Sequence, residues 1–431
     1  MSANAATSER HPAGLRTLFL TEMWERLGFY ILMAILTLYM DQELGWGDAT
    51  KGSIYGAFLG LSYFSPLLGG WMGDRLIGRV GTVRTGAVLM TLGYASLGCS
   101  SRTLVAPFFA GLLLVGIGAG ILKANLSVLV GTLYEERPHL RDAGYNLYYM
   151  GINIGAAVAP LVATAMAVWF GSYRVSFWIA AGGMILAQAF FLRGVHHFPE
   201  SGNSHSEAGT EAPAMASGDI QRRLLALGGL FLVAIFFWTA FYQNGFAMTL
   251  FAQRSTLAYR WLRPETYQFF QPAFILVATP PMLALFAWMK RGNREPSTPG
   301  KILSGMLIMG GSMLVMALAS RLGGNLDQPL MSPGWLIGAY GFITLAEVLI
   351  SPMGLSYVSK VAPPRYRGLM MGCWFAATAT GSYGSGFLGR SYGRFPHDQY
   401  YLLLAGLLGF SACLTLLLFK RLRSFDAPGA A

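Results

Sequence analysis

Charge is what this chain has least of. Only 12% of its 431 residues are Asp, Glu, Lys or Arg, about half the roughly 25% usual in soluble domains. Cysteine is nearly as scarce. Cys99, Cys373 and Cys413 all fall in apolar segments at separations that fit no metal site or disulfide framework, so they read as small buried hydrophobes. The histidines lie outside membrane depth, and no Ser/His/Asp or Cys/His constellation suggests covalent chemistry. No GxxxxGK[ST] loop and no large polar domain is present, which disfavours an ATP-driven pump. These absences point away from an enzyme and call for no cofactor and no metal.

What is abundant is apolar sequence: 54% of the residues are hydrophobic, and the mean hydropathy is +0.47. The apolar residues form runs of about twenty, long enough to cross a bilayer as helices, rather than the short runs of a sheet. The expected class is an all-α membrane protein. The stretch Leu18–Met40, LFLTEMWERLGFYILMAILTLYM, organises the rest. Its first half carries Glu22, Glu25 and Arg26, which share one helical stripe. Charges at membrane depth are costly and face a bundle interior or a water-filled cavity, so other helices must complete this stripe.

Twelve spans are predicted, near 17–40, 53–73, 82–100, 104–130, 144–168, 174–192, 224–250, 268–289, 302–320, 334–358, 368–390 and 400–420. The segment 193–223 lacks periodicity, is rich in Gly, Ser, Ala, Glu and His, and reads as a flexible linker. It divides the chain into six-helix bundles at 1–192 and 224–431. The polar N-terminus argues against a cleavable signal peptide and makes the first span the insertion signal. With the N-terminus in the cytoplasm, the cytoplasmic loops hold roughly twice as many Lys and Arg as the opposite ones, which places both termini and the linker inside. This bias accounts for the net charge of +11 without a nucleic acid.

Beyond the first helix, only Lys123 and Glu347 stand out as charges inside a span. A cavity in which the five charges face one another is the economical reading, with a Lys123–Glu347 approach linking closure to neutralisation. Burial favours a protonated acid and a cationic neighbour favours the carboxylate, so making and breaking such pairs can move protons. The competing reading is a set of static ion pairs holding helices together. Glycines 116, 118 and 120 read as close-packing positions, and Pro66, Pro160, Pro280, Pro281 and Pro352 as helix bends, with or without a gating role. Most Phe and Tyr are expected at lipid, packing or interface positions.

The loop GGWMGDRLIGR, Gly69–Arg79, joins the second and third spans. Gly69 and Gly70 permit close helix approach, Asp74 can meet a helix N-terminus, and Arg75 serves the charge bias. In this loop the chain resembles the major facilitator superfamily. The likeness sharpens to the proton-coupled oligopeptide transporter (POT) family through Glu22-Met23-Trp24-Glu25-Arg26 with Phe29 and Tyr30, and Tyr63 before Ser65-Pro66. It continues through GAGILKAN around Lys123, YYMGINIGAAVAP around Asn153, and AEVLISPMGLSYVSKVAPPRYRGLMMGCWF with Glu347, Pro352 and Trp374. The resemblance implies a major facilitator fold of twelve transmembrane helices in two pseudo-symmetric six-helix bundles. It also implies symport of protons with di- and tripeptides across the inner membrane, by a protein that functions as a monomer in the lipid bilayer.

By that resemblance, Glu22, Glu25, Arg26, Lys123 and Glu347 take part in proton coupling. Arg26 and Lys123 would attract the peptide carboxylate, with Tyr30 and Tyr63 on the same side. Asn153 and Glu347 would meet backbone polar groups or the amino end, and Trp238 and Trp374 would wall side-chain pockets. There are departures. Met33 stands where an arginine is common, Tyr242 where a glutamate is expected, and Gln271 where an asparagine is common. Losing one base and one acid together avoids an uncompensated charge, so Met33 and Tyr242 are expected to meet in the outward gate. Other small zwitterions or anions (amino acids, nitrate, modified peptides) remain as alternative cargo, and a receptor on the same fold as an alternative class.

Overall fold

The computed structural model describes residues 11–198, 217–292 and 294–425, and these are helical throughout apart from turns and one isolated β-bridge between Thr256 and Met331. The helices preceding the gap at 199–216 are α1 (Gly14–Leu38), α2 (Asp48–Arg75), α3 (Gly78–Cys99), α4 (Ala106–Thr132), α5 (Arg141–Phe170) and α6 (Arg174–Gly194). Those following it are α7 (Ser217–Phe241), α8 (Ala247–Arg254), α9 (Phe270–Arg291), α10 (Thr298–Leu322), α11 (Pro333–Val361), α12 (Arg367–Gly389) and α13 (His397–Ser424). Among the described residues, nine helical segments are long and apolar enough to cross a membrane. The other long helices, α2, α3 and α12, are richer in glycine and polar residues. The chain is therefore an all-α, multi-span membrane protein.

Most predicted spans coincide with a helix to within a few residues, and three differences are informative. The span expected at 224–250 is broken. α7 ends at Phe241, a 3₁₀ turn covers Tyr242–Gly245, and α8 follows. A break at this depth frees backbone carbonyls that lipid cannot satisfy. Here Tyr55 donates to the Tyr242 carbonyl (3.0 Å), Tyr340 to that of Asn244 (3.1 Å) and Thr37 to that of Gly245 (2.7 Å). Each hydroxyl comes from a different helix. Next, helix already occupies both ends of the expected linker, up to Gly194 and again from Ser217; its middle lies outside the described residues. Finally, the Gly69–Arg79 segment is mostly the end of α2, with the turn confined to Leu76 and Ile77.

Backbone-close glycine contacts fix α2 against two neighbours. Toward α12, a Cβ at Gly56 would lie 2.7 Å from the Tyr383 carbonyl oxygen, and one at Gly52 would lie 2.6 Å from the Arg390 nitrogen. Toward α4, Gly69 sits against Ile121 and Gly73 against Asn125. The Asn125 amide donates to the Gly69 carbonyl at 2.8 Å and to the Ile121 carbonyl at 2.9 Å. α2 runs through Pro66, which cannot donate to the Ser62 carbonyl. The Ser65 hydroxyl reaches that oxygen at 3.4 Å and donates to Gly116 on α4 at 2.8 Å.

Candidate functional site

On α1 the side chains of Glu22, Glu25 and Arg26 are all buried. Arg26 embraces Glu25 with two nitrogens: Nε lies against Oε2, and the second contact, to Oε1, is 2.6 Å. Glu22 Oε1 stands 3.3 Å from Arg26 Nε, while Glu22 Oε2 accepts from the Tyr148 hydroxyl of α5 at 2.6 Å. Two acids thus share one guanidinium, leaving the cluster net negative when both are ionised. The guanidinium also lies 5.0 Å from the centre of the Phe29 ring. α5 can approach this stripe because Gly155 packs on the α1 backbone, where a Cβ would lie 3.0 Å from Arg26 Cβ.

Lys123 differs. Its side chain is exposed although it lies well inside α4. Its ammonium enters none of the ion pairs or hydrogen bonds among the described residues, and its nearest ring is Tyr63 at 5.8 Å. Arg26, Glu22 and Glu25 are all within its electrostatic reach. Glu347, half buried in mid-α11, accepts a hydrogen bond from Gln271 Nε2 at 2.8 Å. Gln271 Oε1 in turn accepts from Asn244 Nδ2 at 3.0 Å. The Tyr30 phenol lies within electrostatic range of Arg26, Tyr63, Tyr149 and Glu347. Lys123 of α4 lies within electrostatic range of the α1 charges, and Glu347 of α11 within range of Tyr30, which is itself in range of Arg26. These groups together make up a polar region at mid-helix. Lys123 and Glu347 form no ion pair with each other among the described residues, and Glu347 is hydrogen-bonded to Gln271 instead.

An aromatic ladder closes this region on one side. Tyr63 meets Tyr242 with ring centres 5.3 Å apart, and Tyr242 stacks on Trp238 at 5.6 Å. The ring facing Tyr242 from the first set of helices is that of Tyr63; Met33 accepts from Gln268 Nε2 through its backbone carbonyl at 3.3 Å. Beyond the ladder, at the end away from the termini, the two sets of helices are tied together. Arg254 of α8 pairs with Asp48 at 2.7 Å and with Asp41 at 3.2 Å. Lys51, almost fully buried, pairs with Asp48 at 2.8 Å and contacts Asp41, which also accepts from Gln253 at 2.6 Å. Alongside, Thr164 meets Thr266 at 2.7 Å, and buried Glu265 accepts from Tyr173 and Arg263, each at 3.0 Å. Tyr173, in the turn before α6, has its phenol pushed up by burial and by the adjacent Glu265.

The family model described as Major Facilitator Superfamily matches residues 18–382. A di-/tripeptide transporter from Lactococcus lactis subsp. lactis (strain IL1403) is 30% identical, over 95% of this chain and 95% of its own length. Dipeptide and tripeptide permease A of Chromobacterium violaceum is 29% identical, over 90% and 87%. The crystal structure of the peptide transporter POT superposes with a TM-score of 0.87 at 28% identity, covering 97% of this chain and 96% of that one. The chain belongs to the POT peptide-transporter family of the major facilitator superfamily.

Of the residues singled out by likeness to the POT family, Glu22, Glu25, Arg26, Tyr30, Tyr63, Lys123 and Glu347 border the polar region, with Tyr242 and Gln271 at its edge. Six others lie in different surroundings. Trp374 is buried with its ring filling the space over Gly354, so it packs α12 on α11. Asn153 donates to the Tyr149 carbonyl of its own helix at 2.9 Å. Asp74 is largely exposed and lies 3.4 Å from Arg79, which is in the first turn of α3. Arg75 and Gly70 face outward near the same end, with nothing within 4 Å of a Cβ at Gly70, and Pro352 lies within an uninterrupted α11. Sequence reasoning missed Asn244, Lys51, Asp48, Arg254 and Glu265. Arg254 meets Asp48 and Asp41 across more than 200 positions of sequence, which no local pattern reveals, whereas Lys51 lies close in sequence to the same two acids.

Proposed function

We propose that this POT-family chain is a proton-driven symporter of di- and tripeptides working by alternating access. The observation that carries the reading is the pair of unmatched opposite charges, Lys123 on α4 and Glu347 on α11, bordering one polar region at mid-span. A short peptide carries a carboxylate at one end and an ammonium at the other, so Lys123 suits the first and Glu347 the second. Arg26 is already engaged by Glu25 and Glu22, whereas Lys123 enters no ion pair among the described residues and is available to the carboxylate. Arg26 then attracts from a distance, and Tyr30 and Tyr63 line the path between the termini-binding groups. Trp238 and Tyr242 offer aromatic surface that tolerates varied side chains, and Asn153 supplies polar contact near Tyr149.

Proton movement fits the α1 cluster. Two carboxylates on one guanidinium cannot both be fully neutralised, so either can take a proton when Arg26 or Lys123 turns to a substrate carboxylate. The same reading includes twelve crossings in two six-helix bundles, 1–192 and 224–431, with Gly69 packing α2 on α4 and both termini cytoplasmic in the inner membrane. The tied end would then face outward, and the polar region would open toward the cytoplasm. The transporter works as a monomer. Its di- and tripeptide relatives support this choice of cargo.

Purified protein in liposomes tests the proposal. A labelled dipeptide should accumulate when an inward proton gradient is imposed, and unlabelled di- and tripeptides should compete. Uptake indifferent to the gradient, or competition only by non-peptide anions and amino acids, would reject it.

A further inference from the structure

We propose that Asn244 is a positioning residue for peptide amino-end recognition, acting on Glu347 through Gln271. This rests on the reading that Glu347 takes the peptide ammonium. The three side chains form one directed chain: Asn244 Nδ2 donates to Gln271 Oε1 at 3.0 Å, and Gln271 Nε2 donates to Glu347 Oε2 at 2.8 Å. An amide has a donor end and an acceptor end, and nothing in its shape selects between the two orientations. An ionised carboxylate only accepts, so Gln271 must turn its NH₂ toward Glu347. Its oxygen then needs a donor on the opposite side, and Asn244 supplies it.

Asn244 is held for this task. It is buried, and it sits in the 3₁₀ turn that interrupts the span between α7 and α8. Its own carbonyl accepts from the Tyr340 hydroxyl at 3.1 Å and from Thr249 at 2.9 Å. The Gln271 backbone carbonyl lies 3.4 Å from the Thr344 hydroxyl of α11. The relay therefore runs from the helix break, through the start of α9, to mid-α11. Without Asn244, the Gln271 amide loses the partner that fixes its orientation. It can then present its oxygen to the carboxylate, which repels it, or swing away and leave Glu347 free to change rotamer. In either case the carboxylate no longer waits where an ammonium can meet it. The signal is loss of discrimination between a peptide with a free amino end and one whose amino end is blocked.

The experiment measures binding of Ala-Ala and N-acetyl-Ala-Ala to purified protein, taking the ratio of their dissociation constants. The wild type should prefer the free amine. Asn244→Leu should lower that preference about tenfold, as loss of one charge-assisted contact would, chiefly by weakening Ala-Ala. Gln271→Met should lower it similarly, and adding Asn244→Leu to Gln271→Met should lower it no further. The exchanged pair Asn244→Gln with Gln271→Asn keeps the relay's total length and should recover much of the preference. A merely structural role would weaken both ligands together and leave the ratio intact. Should Asn244→Leu fail to fold, the cycle is run with Asn244→Ser. An unchanged ratio in the folded Asn244 variant, or additive losses in the double variant, overturns the relay. A wild type without preference for the free amine instead overturns the assignment of Glu347 itself.

Discussion

Lys123 and Arg26 are both cations at membrane depth, yet their surroundings give them different work. Arg26 is buried against two carboxylates, so deleting it strands acids in a low dielectric. Arg26→Ala is expected to destabilise the protein by about 3–5 kcal/mol, read as a lower thermal unfolding midpoint in detergent. Lys123 has no such partner among the described residues, and its loss should spare the fold. Lys123→Ala should unfold near the wild-type temperature while losing proton-driven peptide uptake in liposomes. A folded variant with full driven uptake would remove Lys123 from the mechanism. The α1 stripe was legible in the sequence because glutamate and arginine are conspicuous in an apolar run. The unpaired state of Lys123 was not, since Gln271 rather than Lys123 holds Glu347.

Among the helices, α2 depends on glycine at both faces. Where it meets α12, the backbones approach at Gly52, Gly56 and Gly386, with Gly386 held directly against Gly52 and Gly56. A side chain there forces the helices apart, because neither backbone can yield locally. Gly386→Leu should therefore loosen the tied end and raise the labelling rate of a cysteine introduced at Tyr55 by a membrane-impermeant thiol reagent. A rate equal to that of the same cysteine in the Gly386 background would contradict this. The break after α7 teaches a related lesson. The stretch 224–250 is apolar enough to read as one helix, and hydropathy cannot register that Tyr55, Tyr340 and Thr37 supply hydroxyls to its carbonyls.

At the scale of the molecule, the described cross-links between the early and late helices include a compact ionic group at the end away from the termini. Asp41 and Asp48 come from one side and Arg254 from the other, with buried Lys51 balancing the charge. Arg254 is the member that spans the divide. Arg254→Gln should shift the protein toward conformations open at that end, leaving two acids facing one lysine. Spin labels at Ala49 and Leu257 should then show a longer-distance population by pulsed electron resonance. Distance distributions that superimpose on the wild type would show that the group does not hold this end closed.

The sequence by itself determined the class of protein, the order and approximate extent of nearly all the helices, and the membership of the charged set on α1, α4 and α11. It could do so because apolar run length and the cost of charge in lipid are local properties of the chain. Only the tertiary structure decided which charge is paired with which, that one span is interrupted, and that Asn244 stands behind Gln271 and Glu347. Those outcomes depend on hydroxyls, amides and glycines from distant helices meeting within hydrogen-bond distance, and such meetings leave no periodic trace along a sequence.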